Sequence, residues 1–72
     1  MKVIMRIPLE ISRSLITDSD RRTAEYESMA NGLIQGDHLV VHCDDRTATE
    51  LVTWANGRVP GARKRIEVLR DL

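Results

Sequence analysis

Gly36-Asp37-His38-Leu39-Val40-Val41-His42-Cys43-Asp44-Asp45-Arg46-Thr47-Ala48 is the stretch from which the fold is read. Gly36-Asp37 marks a turn. After it, Leu39, Val41 and Cys43 share one face of an extended segment, and His38, Val40 and His42 share the other. A strand that is mostly apolar on both faces reads as central in its sheet. Asp44-Asp45-Arg46-Thr47 then opens a helix, with acids placed to suit the helix dipole. Thr47-Ala48-Thr49-Glu50 has the spacing of a capping box. Ala48, Leu51, Val52, Ala55 and Val59 form the apolar stripe of that helix, and Asn56-Gly57 is its expected C-cap.

Working outward toward the N-terminus, Tyr26, Met29, Ala30 and Leu33 recur at helical spacing. The N-cap candidates of this helix are Thr17-Asp18-Ser19-Asp20, and Asn31-Gly32 is its expected C-cap. Before it, Val3, Met5, Ile7, Leu9 and Ile11 occupy the odd positions, and Ile4, Arg6, Pro8 and Glu10 the even ones. The period of two predicts a half-buried strand over 3–11. Pro8 cannot donate to a ladder, which places it at an edge or at the strand's end. Toward the C-terminus, Pro60-Gly61 is a turn, and Arg65 to Arg70 is a last strand with Ile66 and Val68 inward and Arg65, Glu67 and Leu69 outward. An offset of 25 residues relates Ala30-Asn31-Gly32 and Gly36 to Ala55-Asn56-Gly57 and Gly61. A duplication would produce it, and so would shared capping rules. The same offset sets Leu15-Ile16 against Val40-Val41 and favours a strand there over a loop. The expected fold is a compact two-layer α/β sandwich in β-α-β-α-β(-β) order, one domain over 1–72, with two helices on one face of a three- to four-stranded sheet.

The chain has 72 residues, enough for one core of modest stability. Apolar residues at 42% and charged residues at 31% are the composition of a folded domain rather than a disordered tail. Eleven basic and eleven acidic residues cancel, so no global field draws the chain to nucleic acid or anionic lipid. Trp54 and Tyr26 are the only aromatics, too few for a base-stacking platform. No apolar run is long enough to span a membrane, and the N-terminus lacks the pattern of a signal peptide. Cys43 is the sole cysteine, which excludes an internal disulfide and fits a reducing, cytoplasmic compartment. With His38 and His42 it falls short of the four ligands of a structural zinc, so neither metal nor cofactor is expected.

Residues 36–48, followed by Leu51-Val52 and Trp54-Ala55, resemble the middle of the TusA/SirA-like sulfur-carrier family. There too a Gly-Asp or Gly-Glu turn leads into a hydrophobic strand, and an Asp-Asp pair starts a helix with a Trp-Ala step. The resemblance covers roughly residues 36–70. It implies two helices on a four-stranded sheet, with Gly57-Arg58-Val59 beginning a short third strand and Pro60-Gly61 as its turn. The family's Cys-Pro-x-Pro motif, at the start of its first helix, falls near Asp18-Ser19-Asp20-Arg21 here. These residues include neither cysteine nor proline, so no catalytic residue is carried over.

Among residues that could carry chemistry, Cys43 ends a strand before a helix start, where a dipole lowers a thiol's pKa. Asp44 and Asp45 oppose that, and the alternation turns Cys43 toward the core with Leu39 and Val41. His38 and His42 lie roughly 13 Å apart along one strand face and cannot share a metal ion. Asp18, Asp20, Asp44 and Asp45 stand at helix starts, where capping explains them and Mg²⁺ binding is the rival reading. Arg58, Arg63, Lys64, Arg65 and Arg70 cluster near the C-terminus, and the turn from Val59 to Arg65 is a basic hairpin tip suited to phosphate or an acidic protein surface. Trp54 lies off the cleanest stripe of its helix, where an interface anchor is often found.

The leading expectation is a small non-enzymatic protein-binding or regulatory domain, an adaptor or inhibitor of the kind phages and mobile elements encode. Its surface would combine Trp54 with Arg58, Arg63, Lys64 and Arg65, or an exposed strand edge used to pair two copies. The alternatives are a sulfur-carrier relative using Cys43 and a nucleic-acid-binding module using the basic turn.

Overall fold

The structure is a computed structural model, and it describes residues 2–18, 27 and 29–70. It begins with a strand, β1 (Lys2–Pro8), in which Val3, Met5 and Ile7 are buried in strict alternation. Pro8 has no N–H for the ladder, and there the strand gives way to a helix, α1 (Leu9–Asp18). Leu9 and Ile11 therefore do not extend β1, as the period of two predicts. Ile11, Ser12 and Leu15 are the buried side of α1, a spacing of one and four that only a helix turns to one face. The strand expected at Leu15-Ile16 is part of the same helix. Thr17 and Asp18 close α1 rather than open a later helix, and Ser19, Asp20 and Tyr26 lie outside the described residues.

Glu27, Met29 and Ala30 are helical, and Met29 reaches the core. The chain leaves this turn at Asn31 and Gly32, whose N–H groups donate to Glu27 O and Met29 O at 3.1 and 3.0 Å. Gly32 serves close approach rather than a left-handed cap. A Cβ there would lie 3.0 Å from both Leu39 Cδ1 and Val40 O. Leu33, expected on the helical stripe, instead begins β2 (Leu33–Gln35). A turn at Gly36-Asp37 leads to β3 (His38–Asp44). Gly36 has φ +63°, and among the described residues none other than glycine has a positive φ. A positive φ confined to the first central residue is the mark of a type II′ hairpin turn, matched to strand twist.

Asp44 caps α2 (Asp45–Arg58) by accepting from Thr47 N at 2.7 Å. The capping box expected at Thr47 and Glu50 does not form, since Thr47 is already inside the helix and Glu50 pairs with Arg46 at 3.2 Å. Ala48, Leu51 and Ala55 are the buried side of α2, as the stripe predicts. Asn56 and Gly57 lie within the helix instead of capping it, and Val59 ends it by donating to Ala55 O at 2.8 Å. Gly57-Arg58 is therefore not strand. Gly61, at φ +80°, turns the chain into α3 (Ala62–Arg65), so the basic tip is a helical turn rather than a hairpin. Ile66 then leads into β4 (Glu67–Arg70), with Ile66 and Val68 facing inward and Glu67 and Leu69 exposed.

The four strands lie in the order β2-β3-β1-β4 with every pair antiparallel. Strands β1 and β2 run the same way with β3 between them, and β3 and β4 do the same around β1. This is the split βαβ arrangement of ferredoxin-like folds, a small two-layer α/β sandwich. The registers Val3↔Cys43, Met5↔Val41 and Ile7↔Leu39 put these side chains on the helix side. There they join Ile11, Leu15, Met29, Leu51, Ala55 and Ile66 in one core cluster. No helix among the described residues is long and apolar enough to cross a membrane.

Candidate functional site

The residues expected to bind do not converge on one spot. Trp54 is half-buried against the margin of the core, and the Arg58 guanidinium lies 5.1 Å from its ring centroid. Cation–π contact holds that cation over an apolar plate, one turn farther along α2. Arg65 is drawn the other way, into an ion pair with Glu10 of α1. Lys64 is exposed on α3.

Arg63 has a different setting. Its N–H donates to Asn56 Oδ1 at 3.2 Å, which fastens α3 to the end of α2. Arg63 lines a groove of about 340 Å³ bounded by α2 and β4. Ala48, Val52 and Val68 contribute its apolar surface, while Thr49, Thr53 and Arg70 add hydroxyls and a second guanidinium. The local sequence explains the convergence. Positions 48, 49, 52 and 53 fall on one side of a helix, and 68 and 70 on one face of a strand. Arg70 stood in the C-terminal basic cluster but outside the expected binding set, and Thr49 and Thr53 were not singled out as binding residues. These two spacings were the available signal, but nothing local says that α2 and β4 lie side by side.

The electrostatics of the groove are cationic with one internal counter-charge. Arg70 Nη2 lies 2.9 Å from Asp45 Oδ1. That oxygen is shut off from solvent and has no aligned hydrogen bond, so the contact is an ion pair of close charges. Thr49 donates its hydroxyl to Asp45 O at 3.0 Å, which keeps the start of α2 in register with the groove. A carboxylate or phosphate entering here meets Arg63 and competes with Asp45 for Arg70. Arg presents a planar fork that suits such bidentate recognition.

The remaining candidates lie elsewhere. Cys43 is on the helix side of β3, opposite Val3, and half-buried. Burial pushes its thiol pKa up, and the neighbouring Asp44 carboxylate adds to the effect. The arrangement disfavours a thiolate. His38 and His42 are on the helix-free face, His38 with Nδ1 2.7 Å from Asp37 Oδ1 and His42 exposed opposite Ile4. The His38 contact holds the Asp37 carboxyl below the usual carboxylate range. Of the acids expected at helix starts, Asp44 caps α2 and Asp45 pairs with Arg70. Compared with protein-family models, curated proteins and solved structures, the chain matches none, and its groove is therefore read from its own chemistry alone.

Proposed function

We propose that this chain is a small non-enzymatic protein-binding domain that takes an acidic segment of a partner protein in the groove between α2 and β4. The observation that carries the reading is the pair Arg63 and Arg70 flanking an apolar surface formed by Ala48, Val52 and Val68. Such a lining suits a segment that offers a carboxylate beside an aliphatic side chain. Strand β4 ends the sheet, so its outer backbone groups can also pair with an extended segment. Lys64 and the Arg58–Trp54 stack extend the same basic end of the molecule.

The test is capture from the soluble lysate of the source cell, followed by titration of the captured partner with purified variants. Wild type and Cys43→Ser are expected to bind alike. Arg63→Glu combined with Lys64→Glu is expected to lower affinity about tenfold or more, as loss of a desolvated charged contact does. Equal affinity of the double variant and wild type would remove the groove from the reading. Capture abolished by nuclease treatment would replace the protein partner with nucleic acid, bound by the same basic end with a steep salt dependence.

A further inference from the structure

The helices cover one face of the sheet, and the other face carries an ordered pattern. Leu33 on β2 pairs with Val40 on β3, and Ile4 on β1 pairs with Leu69 on β4. Val40 and Ile4 are diagonal neighbours, since Ile4 pairs with His42, two residues on from Val40. An apolar band thus crosses all four strands on the helix-free side. Leu33 is 63% exposed, Leu69 50% and Ile4 37%, while Val40 is buried yet lies outside the core cluster. Beside the band, Arg6 and Glu67 face each other at 3.2 Å as an exposed ion pair. Lys2 and Asp44 are partners at the far end of the β1–β3 ladder, and with Arg6 and Glu67 they are the formal charges that the described strands turn to this side when the histidines are neutral.

We infer that this face is where two copies of the chain associate, sheet against sheet, about a two-fold axis. Charge decides the occupant. Two cations and two anions, each cation beside an anion in the register, make the face neutral and self-complementary, so the Arg6–Glu67 pair can exchange across the axis. A strongly acidic or basic partner would leave the charges of one sign opposed. The band supplies the apolar contact of an aligned sheet packing. Four strands at about 4.8 Å spacing, up to seven residues long at about 3.3 Å rise, give a footprint on the order of 400 Å². That is small for a specific interface, and association at roughly 10–100 µM is expected.

Sedimentation equilibrium of the full chain, from about 1 µM to about 1 mM, tests it. The wild-type mass is expected to rise from 8.2 kDa toward twice that value with concentration. Leu33→Glu and Leu69→Glu replace exposed side chains, should keep the wild-type circular dichroism, and are expected to stay at the monomer mass. Arg6→Glu alone and Glu67→Arg alone each place like charges across the axis and are expected to weaken association at least about fivefold. Their equimolar mixture restores opposite charges and should recover it. A wild type that stays monomeric throughout overturns the inference. So do Leu33→Glu and Leu69→Glu chains that associate like wild type, or a mixture no stronger than its components.

Discussion

Cys43 shows how far a single residue can be read in isolation. Its alternation with Leu39 and Val41 places it on the inward face, and Asp44 beside it opposes a negative charge. Both arguments are local, and the structure agrees with both, since burial first and Asp44 second push the thiol pKa upward. The expected outcome is an iodoacetamide alkylation rate that keeps climbing with pH after that of free cysteine has levelled off, and a rate at neutral pH that rises when the chain is denatured. A plateau below that of free cysteine would mark an acidic thiol and would favour sulfur chemistry instead. Arg70 is the opposite case. In sequence it is one of several basic residues clustered near the C-terminus, and its particular role rests on the 2.9 Å approach to Asp45, 25 positions away.

At the scale of elements, the start and the stripe of α2 were legible because both are set by neighbours in sequence, whereas the helix runs past its expected end at Asn56-Gly57 to Arg58. Asp44 accepts from Thr47 N, and that hydrogen bond is the first cause of a carboxyl pKa below its ordinary value. The folded value lies below the unfolded one, so the cap stabilises the fold above the unfolded pKa of about 3.9. It is lost as pH falls through the lower folded value. Asp44→Ala is expected to lower the thermal midpoint at neutral pH by a few degrees, and the gap from wild type should close in acid. A gap that persists unchanged in acid would show that the ionised carboxylate is not the capping group. The first helix was misread for an equally physical reason. Leu9 and Ile11 fit a period of two running out of β1, while Ile11 and Leu15 fit a helical turn, and a short apolar run satisfies both. Pro8 is the deciding residue, because the ladder stops where no N–H remains.

The whole molecule is one helical layer on one sheet, and a chain of 72 residues has little stability in reserve, about 3–5 kcal/mol. Leu15 is fully buried where α1 meets the sheet. Leu15→Ala is expected to cost about 2–5 kcal/mol, most of the total. Chemical denaturation should therefore find the variant largely unfolded at 37 °C, and a loss under about 1 kcal/mol would show that α1 is not part of the cooperative core. By contrast, the Arg65–Glu10 pair joins α3 to α1 through side chains about half or more exposed, and such pairs contribute little.

The chain by itself determined the class of fold, the central strand β3, the helix after it and the inward faces of the strands. All of these follow from alternation, capping and charge over a few residues. The tertiary structure alone decided that 9–18 is helix and that Leu33 belongs to a strand. It also decided the strand order, which sets Arg63 beside Arg70 and puts Leu33, Val40, Ile4 and Leu69 on the face turned away from the described helices. Those outcomes depend on which distant segments meet, and local periodicity carries no term for that.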